Sequence, residues 1–523
     1  IGIDSLSSGE DSVAIAAKAK STAENSLAFG VAAQATALNT VAIGTQAISN
    51  QLGALSFGAN ATATANYTMA FGVGANANEN NAMAIGHDAA ASSANSIAVG
   101  LDAQASGTMS MALGLKSRSL DTETIAIGAY SNASKTNATA FGTNANALAV
   151  NAMALGTKAL ASTKDAFAAG LEAKATGINS MALGMNSSAT NTNALAYGSL
   201  ANATGNNSMA TGTQAFANAS EAIASGVKAK ATKTGAIAFG AYANATNVET
   251  IAMGGFAQAI GANSTAIGVN SFANSEKALA VGACSQALQS GAMALAAYSY
   301  ANGTDAIAAG YRANASANNA IALGTTTVAS ANDSFAAGFS SRATGVNSMA
   351  LGSSASATAD GAYAAGLLAS ATGNNSVALA TSASAKGSNA YALGVSSVAF
   401  GNNAAAFGTL ANASGNASYA VGLFSKATET NATAFGTNAT ASNVNSFAIG
   451  SKATATGLDS VALGVSASAT QNESFAAGTQ SQAVANQALA FGANANASGN
   501  YSLAVGSNSQ ASAENAQALG DKA

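Results

Sequence analysis

The sequence of 523 residues contains no proline and no tryptophan, and it has one cysteine and one histidine. A single cysteine excludes an internal disulfide. Charged residues make up 8% of the chain, the net charge is −4 and Lys and Arg form no run. The basic surface expected of a nucleic-acid-binding protein is therefore missing. No stretch approaches the roughly 18 consecutive apolar residues of a membrane-spanning helix, so we expect none.

Groups that carry catalysis are also scarce. Enzymes need a positioned acid, base, nucleophile or metal, and histidine is the commonest such group. His87 falls at the same place in the repeat described below as Val31 and Thr45, so we interpret it as an ordinary turn substitution. Cys284 has no base nearby in sequence, and the carboxylates are scattered without the spacing of a metal site. We therefore predict no enzyme, no catalytic residue, no cofactor and no metal site.

What the chain has instead is a strict fourteen-residue repeat. The segment Asn179–Gly184, Asn-Ser-Met-Ala-Leu-Gly, recurs closely at Asn347–Gly352 and Asn445–Gly450. The closing position of this segment repeats from Gly30 to Gly520 in 36 copies without an insertion or deletion. A strict short period indicates stacked repeats in one elongated body. We predict a single continuous array of about 37 coils over residues 1–523, with no capping turns, stalk or membrane anchor visible.

We number the repeat so that the closing glycine is position 5 and the Asn-Ser pair occupies positions 14 and 1. Position 3 is Ala in 35 of 36 copies, position 10 is almost always Ala, and position 8 is Ala or Ser, with an occasional Thr. Positions 2 and 4 carry larger apolar residues, whereas positions 7, 9 and 11 are polar. This period-two alternation predicts two strands per coil, over about positions 1–5 and 7–11, joined by Gly- and Asn-rich turns. A helix does not fit, because glycine recurs too regularly.

The apolar residues at positions 2 and 4 predict an interface between chains. If Ala from both strands fills a narrow interior, these larger side chains lie outside it, and monomeric proteins rarely expose such a surface. Burying them is worth roughly 1.5–3 kcal/mol each, or on the order of 100 kcal/mol per chain as an upper bound. Cyclic symmetry with three chains is the simplest closure, and two or four chains stay open. The predicted interface includes Leu27, Phe29, Met69, Phe71, Met181, Leu183, Met349, Leu351, Phe447 and Ile449.

The repeated phrase, with the Ala-x-Ala-Thr-Gly that precedes it at Ala173–Gly177, resembles the head repeat of YadA-like trimeric autotransporter adhesins. The resemblance covers the whole chain. It implies an all-β fold in which each chain is a left-handed parallel β-roll and three chains form a homotrimer. In that family the head repeat is linked to binding collagen and other matrix proteins. Carried over to this chain, the candidate adhesive residues are Asn179, Ser180, Asn347, Ser348, Asn445 and Ser446.

We therefore predict an extracellular, cell-surface adhesin head or fibre that binds matrix proteins or other surfaces. Family members continue into a neck, a coiled-coil stalk and a membrane barrel, so attachment to an outer membrane depends on segments outside these residues. One alternative is a structural extracellular filament built by end-to-end stacking of rods. A phage or virion tail fibre is the other. Partners expected from these readings are two further copies of the chain, a surface ligand and end-to-end neighbours, but no nucleic acid and no direct membrane insertion.

Overall fold

A computed structural model describes all residues, 1–523, and the chain divides into two units, Ile1–Asn263 and Ser264–Ala523. Each unit is a parallel β-solenoid built of fourteen-residue coils, and neither contains a helix. No segment therefore forms a helix with the length and apolar character needed to cross a membrane. The predicted all-β parallel solenoid is confirmed. That the two units form one continuous array stays a prediction, as does the left-handed winding.

Each coil contains a three-residue strand at positions 2–4 and a two-residue strand at positions 9–10. Within a unit, both kinds of strand recur once per coil without exception. In the first unit they run from Val13–Ile15 to Ile251–Met253 and from Leu6–Ser7 to Gln258–Ala259. In the second unit they run from Thr265–Ile267 to Gln517–Leu519 and from Phe272–Ala273 to Gln510–Ala511.

Within each unit, the strands pair in parallel with the equivalent strands of adjacent coils, so each unit has two parallel sheets. Met181 lies opposite Leu195 and Leu183 opposite Tyr197, while Ala182 and its equivalent in the next coil pair between them. Because the register shift equals the period of the sequence, each side chain stacks on the same position of its neighbours. A residue type favoured at one position thus forms a row that crosses the coils of the unit.

Two positions of each coil adopt left-handed backbone conformations, and they limit the strands. Asn186 at position 7 has a φ of 54° and Asn193 at position 14 has a φ of 55°. Asn and Asp tolerate this region because their short side chains bond locally. Position 5 needs glycine for another reason: Gly184 has a φ of 131°, and a Cβ there would lie 2.5 Å from the carbonyl oxygen of Gly198. The strands are consequently shorter than the predicted spans of positions 1–5 and 7–11.

The interior of the coil is filled by small side chains at positions 1, 3, 8 and 10. Ala182 and Ala189, at positions 3 and 10, are fully buried, as are Ser180 and Ser187 at positions 1 and 8. The largest fully buried side chains are threonines such as Thr40. The predicted alanine interior is confirmed, and position 1 is an addition to it. Because this core has no room for a larger residue, the Leu, Met, Ile and Phe side chains must lie outside.

Candidate functional site

The side chains at positions 2 and 4 form the apolar column, a row on the outer face of the three-residue strands. Phe29 is 49% exposed, Phe71 45% and Met181 39%, and Leu183 is half-buried. Neighbouring coils cover part of each side chain, as in the stacked rings of Phe57 and Phe71, whose centroids are 4.4 Å apart. The remaining residues of the predicted interface share this placement: Met349 and Phe447 are exposed, and Leu27, Met69, Leu351 and Ile449 are half-buried.

Position 6, in the turn after the glycine, carries exposed apolar side chains in many coils, which the sequence analysis missed. Val31 and Val73 are 48% and 47% exposed in the first unit, and Phe339 and Val465 are 60% and 50% exposed in the second. The signal was visible in the sequence, since position 6 holds Val, Leu, Met or Phe in many copies. It was overlooked because position 6 follows the glycine and was assigned to a turn. In soluble proteins, large contiguous apolar patches are typical of interaction sites.

The two residues of each candidate adhesive pair lie in different environments. Asn179, at position 14, is exposed and left-handed with a φ of 54°, and Asn347 and Asn445 share this conformation. The serine that follows each of them points into the coil. Ser180 is 1% exposed, and its hydroxyl accepts a hydrogen bond from the backbone N–H of Gly177 at 3.1 Å. Ser348 and Ser446 are buried in the same way, so only the asparagines of these pairs reach solvent.

Asparagines at position 14 also bond to one another from coil to coil, and we call this row the asparagine ladder. The Asn179 amide donates to Oδ1 of Asn193 at 3.3 Å, and Asn193 donates to Oδ1 of Asn207 at 2.9 Å. In the second unit, Asn445 accepts from Asn431 at 3.0 Å and donates to Asp459 at 2.8 Å. The frequent Asn of the repeated phrase therefore has a structural reason that does not involve a ligand.

The opposite outer face, at positions 7, 9 and 11, is polar. Lys158 and Glu172 form an exposed ion pair there, with Nζ and Oε1 2.9 Å apart. The hydrogen bond from Lys158 lowers the pKa of Glu172, and its positive charge acts in the same direction. At position 12 the backbone N–H of Thr122 likewise lowers the pKa of Asp121. The charges stay at the surface, where they are available to a binding partner.

His87 lies at an exposed turn, as predicted, but it is not isolated. Its Nδ1 is 3.0 Å from Oδ2 of Asp88, and Asp102 of the next coil comes close to both. The sequence analysis compared His87 with the same repeat position of other coils but did not compare the carboxylates of adjacent coils, so it found no such cluster. Adding the length of one repeat to the position of Asp88 reaches Asp102 and would have revealed the cluster.

Small buried side chains, left-handed asparagines and an outward apolar column together define a repeat protein of the parallel β-solenoid class. The model of the YadA head domain repeat matches most of the chain, and the chain belongs to that family. The matched residues, with overlapping matches merged, are 21–47, 51–75, 77–103, 105–131, 133–187, 189–215, 217–243, 245–285, 301–379, 385–411 and 413–523.

Among solved structures, the collagen-binding domain of the Yersinia adhesin YadA matches with 20% sequence identity and a TM-score of 0.14. The match covers 33% of this chain and 66% of that chain. No curated protein matches this chain. The family assignment accordingly rests on the repeat itself.

Proposed function

We propose that this chain is the head of a homotrimeric adhesin exposed on a cell surface, which holds the cell to matrix proteins or other surfaces. The observation that carries the proposal is the apolar column in a chain of YadA head repeats. A free monomer would expose this surface to water along every coil. Attachment to an outer membrane would come from a stalk and anchor outside these residues. The proposal assigns the chain no catalytic residue.

The energy available from the apolar column supports assembly with partner chains. Full burial of a large apolar side chain is worth roughly 1.5–3 kcal/mol, and neighbouring coils already cover about half of each one. About 1 kcal/mol per side chain is then left for a partner to supply, so a few coils are enough to hold chains together. Because the column lies on one side of the coil, closed cyclic symmetry can cover it completely.

If partner chains cover the apolar column, the polar face at positions 7, 9 and 11 is the surface left for a ligand. That face repeats with each coil, so many weak and similar contacts can add up to tight binding through avidity. The solved YadA domain is described as collagen-binding, and we propose a collagen or another extracellular matrix protein as the ligand here. The exposed asparagines, such as Asn179 and Asn445, lie at position 14, outside the two-residue strands.

The oligomeric state is tested by light scattering combined with thiol labelling. In a Cys284→Ser background, Leu183→Cys places a thiol at position 4 and Ser188→Cys places one at position 9 of the same coil. We expect the mass of three chains, slow labelling at residue 183 and fast labelling at residue 188. Equal labelling rates, or the mass of a monomer, would contradict the proposed interface.

The ligand is tested by measuring binding of the purified chain to immobilised collagen, laminin and fibronectin, with albumin as the control surface. Binding to a matrix protein but not to albumin supports the adhesin. Trimers that bind none of them contradict the proposed ligand while leaving the assembly intact. Filaments of indefinite length in electron micrographs would favour the structural filament, and rods on a purified virion would favour the tail fibre.

A further inference from the structure

We propose that His87, Asp88 and Asp102 form a surface site for a divalent transition-metal ion such as Zn²⁺. One ligand atom of each side chain lies within 4.8 Å of the corresponding atoms of the other two. His87 and Asp88 occupy positions 6 and 7 of one coil, and Asp102 occupies position 7 of the next. The chain has a single histidine, and it lies beside two carboxylates on the same corner of the solenoid.

The backbone places the two aspartates at the same position of adjacent coils. Both have left-handed conformations, with φ values of 54° for Asp88 and 55° for Asp102, and they are equivalent positions of adjacent coils. Adjacent parallel strands lie about 4.8 Å apart, so stacked side chains at one position reach a common point. The site is therefore assembled by the coil-to-coil register, and it does not depend on a flexible loop.

Gly74 helps to orient the first aspartate. It precedes Asp88 in the row of position 7, and a Cβ at Gly74 would lie 2.1 Å from Oδ1 of Asp88. The absence of a side chain thus leaves room for Oδ1 over the preceding coil, on the side away from Asp102, while Oδ2 stays 3.0 Å from Nδ1 of His87. The imidazole and the carboxylate are already brought together before an ion arrives.

The donor set selects the class of ion. Zn²⁺ binds imidazole nitrogen and carboxylate oxygen at about 2.0–2.2 Å, so two ligand atoms of a tetrahedral site lie about 3.3 Å apart. His87 and Asp88 are exposed, so their side chains can close from the observed spacing to that distance by rotating about their own bonds, while Asp102 is half-buried. An imidazole nitrogen favours Zn²⁺, Cu²⁺ or Ni²⁺ over Mg²⁺ and Ca²⁺, which prefer oxygen ligands. Three protein ligands leave a coordination position open for water or for a group of a binding partner.

The second unit offers a matched control. Asp305 leans over Gly291 in the same way, since a Cβ at Gly291 would lie 2.0 Å from its Oδ1. Asp305 lies at position 14, and Asn319 follows it at the same position of the next coil, so no histidine and no second aspartate accompany it. Asp305→Asn therefore removes an equivalent carboxylate outside the proposed site.

The test is titration of the 523-residue chain, freed of metal with a chelator, with Zn²⁺ in a calorimeter. We expect one ion per chain, and a loss of affinity of at least about tenfold in both His87→Ala and Asp102→Asn. Asp305→Asn keeps the affinity of the unaltered chain, and circular dichroism shows the same spectrum for all three variants.

Electron paramagnetic resonance of the Cu²⁺-loaded chain provides a second readout, because an imidazole ligand adds nitrogen coupling that His87→Ala removes. No saturable binding of Zn²⁺ would overturn the proposal. It would also be overturned if His87→Ala bound as tightly as the unaltered chain, or if Asp305→Asn weakened binding equally. Displacement of Zn²⁺ by Mg²⁺ at equal concentration would contradict the assigned class of ion.

Discussion

Within each coil, positions 1–7 and positions 8–14 follow nearly the same path and carry different surfaces. Ala182 and Ala189 are both fully buried, and Asn186 and Asn193 are both left-handed. Outward, however, positions 2, 4 and 6 are largely apolar, whereas positions 9 and 11 are mostly polar. The comparison teaches that the inward and turn residues determine the backbone. The outward residues are free to differ, which gives one half an apolar surface and the other half a polar surface.

The backbones of the two halves also differ at the position that closes the first half. Position 5 has φ values near 130°, as in Gly184, whereas position 12 has no positive φ in Ala37 or Ala219. The first half therefore needs glycine and the second half accepts other residues. Three coils violate this rule: Ala16, Ala296 and Ala380 carry a Cβ at position 5 with φ between 102° and 109°.

Placing a charge in the interior is expected to cause the largest loss of stability, whichever half of the coil carries it. Ala182→Asp and Ala189→Asp each bury a carboxylate with no partner, which costs more than about 3 kcal/mol. Thermal unfolding and limited proteolysis measure the loss. Ser188→Asp, beside Ala189 on the outward side, is the control and should change stability by less than about 0.5 kcal/mol. A mild effect in only one of the two interior variants would show that the halves are not equivalent inside.

Substitutions at position 5 are expected to cause the next largest changes in stability. Adding a methyl group should destabilise the fold, and removing one should stabilise it. Gly184→Ala forces a Cβ toward the carbonyl oxygen of Gly198 and is expected to destabilise the fold by about 1–3 kcal/mol. Ala296→Gly relieves a backbone with a φ of 104° and is expected to stabilise it by about 1 kcal/mol. Denaturant midpoints of the two variants check both signs. Destabilisation by Ala296→Gly would mean that the alanine methyl group contributes packing that outweighs the strain.

Substitutions in the asparagine ladder are expected to cause a smaller loss of stability. They also test whether these asparagines stabilise the fold or contact a ligand. Asn193→Ala removes two exposed hydrogen bonds and leaves a residue that disfavours the left-handed region, so we expect a loss of about 1–2 kcal/mol. Asn193→Gly keeps the backbone freedom and should lose only about half as much. Both variants are compared in thermal unfolding and in collagen binding. Unchanged stability together with weaker collagen binding would identify the asparagine as a ligand contact instead.

The polar face predicts the smallest effect. Lys158→Met removes the hydrogen bond that lowers the pKa of Glu172, so that pKa should rise toward its ordinary value of 4.5. Because the folded pKa is lowered, any contribution of this pair is present at neutral pH and lost as the pH falls below 4.5. Titration of the labelled glutamate carboxyl by NMR measures the shift. We expect no detectable change in thermal stability at neutral pH, since the pair is exposed.

The sequence predicted which side chains point into the coil, because this depends on the alternation of residues along a strand. Alanine at positions 3 and 10 identified the interior, and larger residues such as Met181 and Leu183 were correctly excluded from it, because side chains on a strand alternate between faces. Alternation carries no information on backbone dihedral angles. The left-handed conformation at position 7 and the shorter strands were therefore not predicted.

The role of the repeated Asn-Ser pair could not be predicted from the sequence either. An asparagine that recurs once per coil can contact a ligand, adopt a left-handed conformation or bond to its own copies, and all three leave the same pattern. Ser180 is buried while its neighbour Asn179 is exposed, which only coordinates could distinguish. The proximity of His87, Asp88 and Asp102, by contrast, could have been predicted, because Asp88 and Asp102 are one repeat apart.

The identical length of every coil has a consequence for inheritance. A gene that gains or loses the segment encoding a whole coil keeps each strand opposite its proper neighbour, whereas a change of one residue shifts all later side chains out of register. Recombination between such similar segments can therefore lengthen or shorten the array in single generations. Natural variation in the length of this gene should come in whole coils. Selection would then act on the number of coils, while the chemistry of each face stays the same.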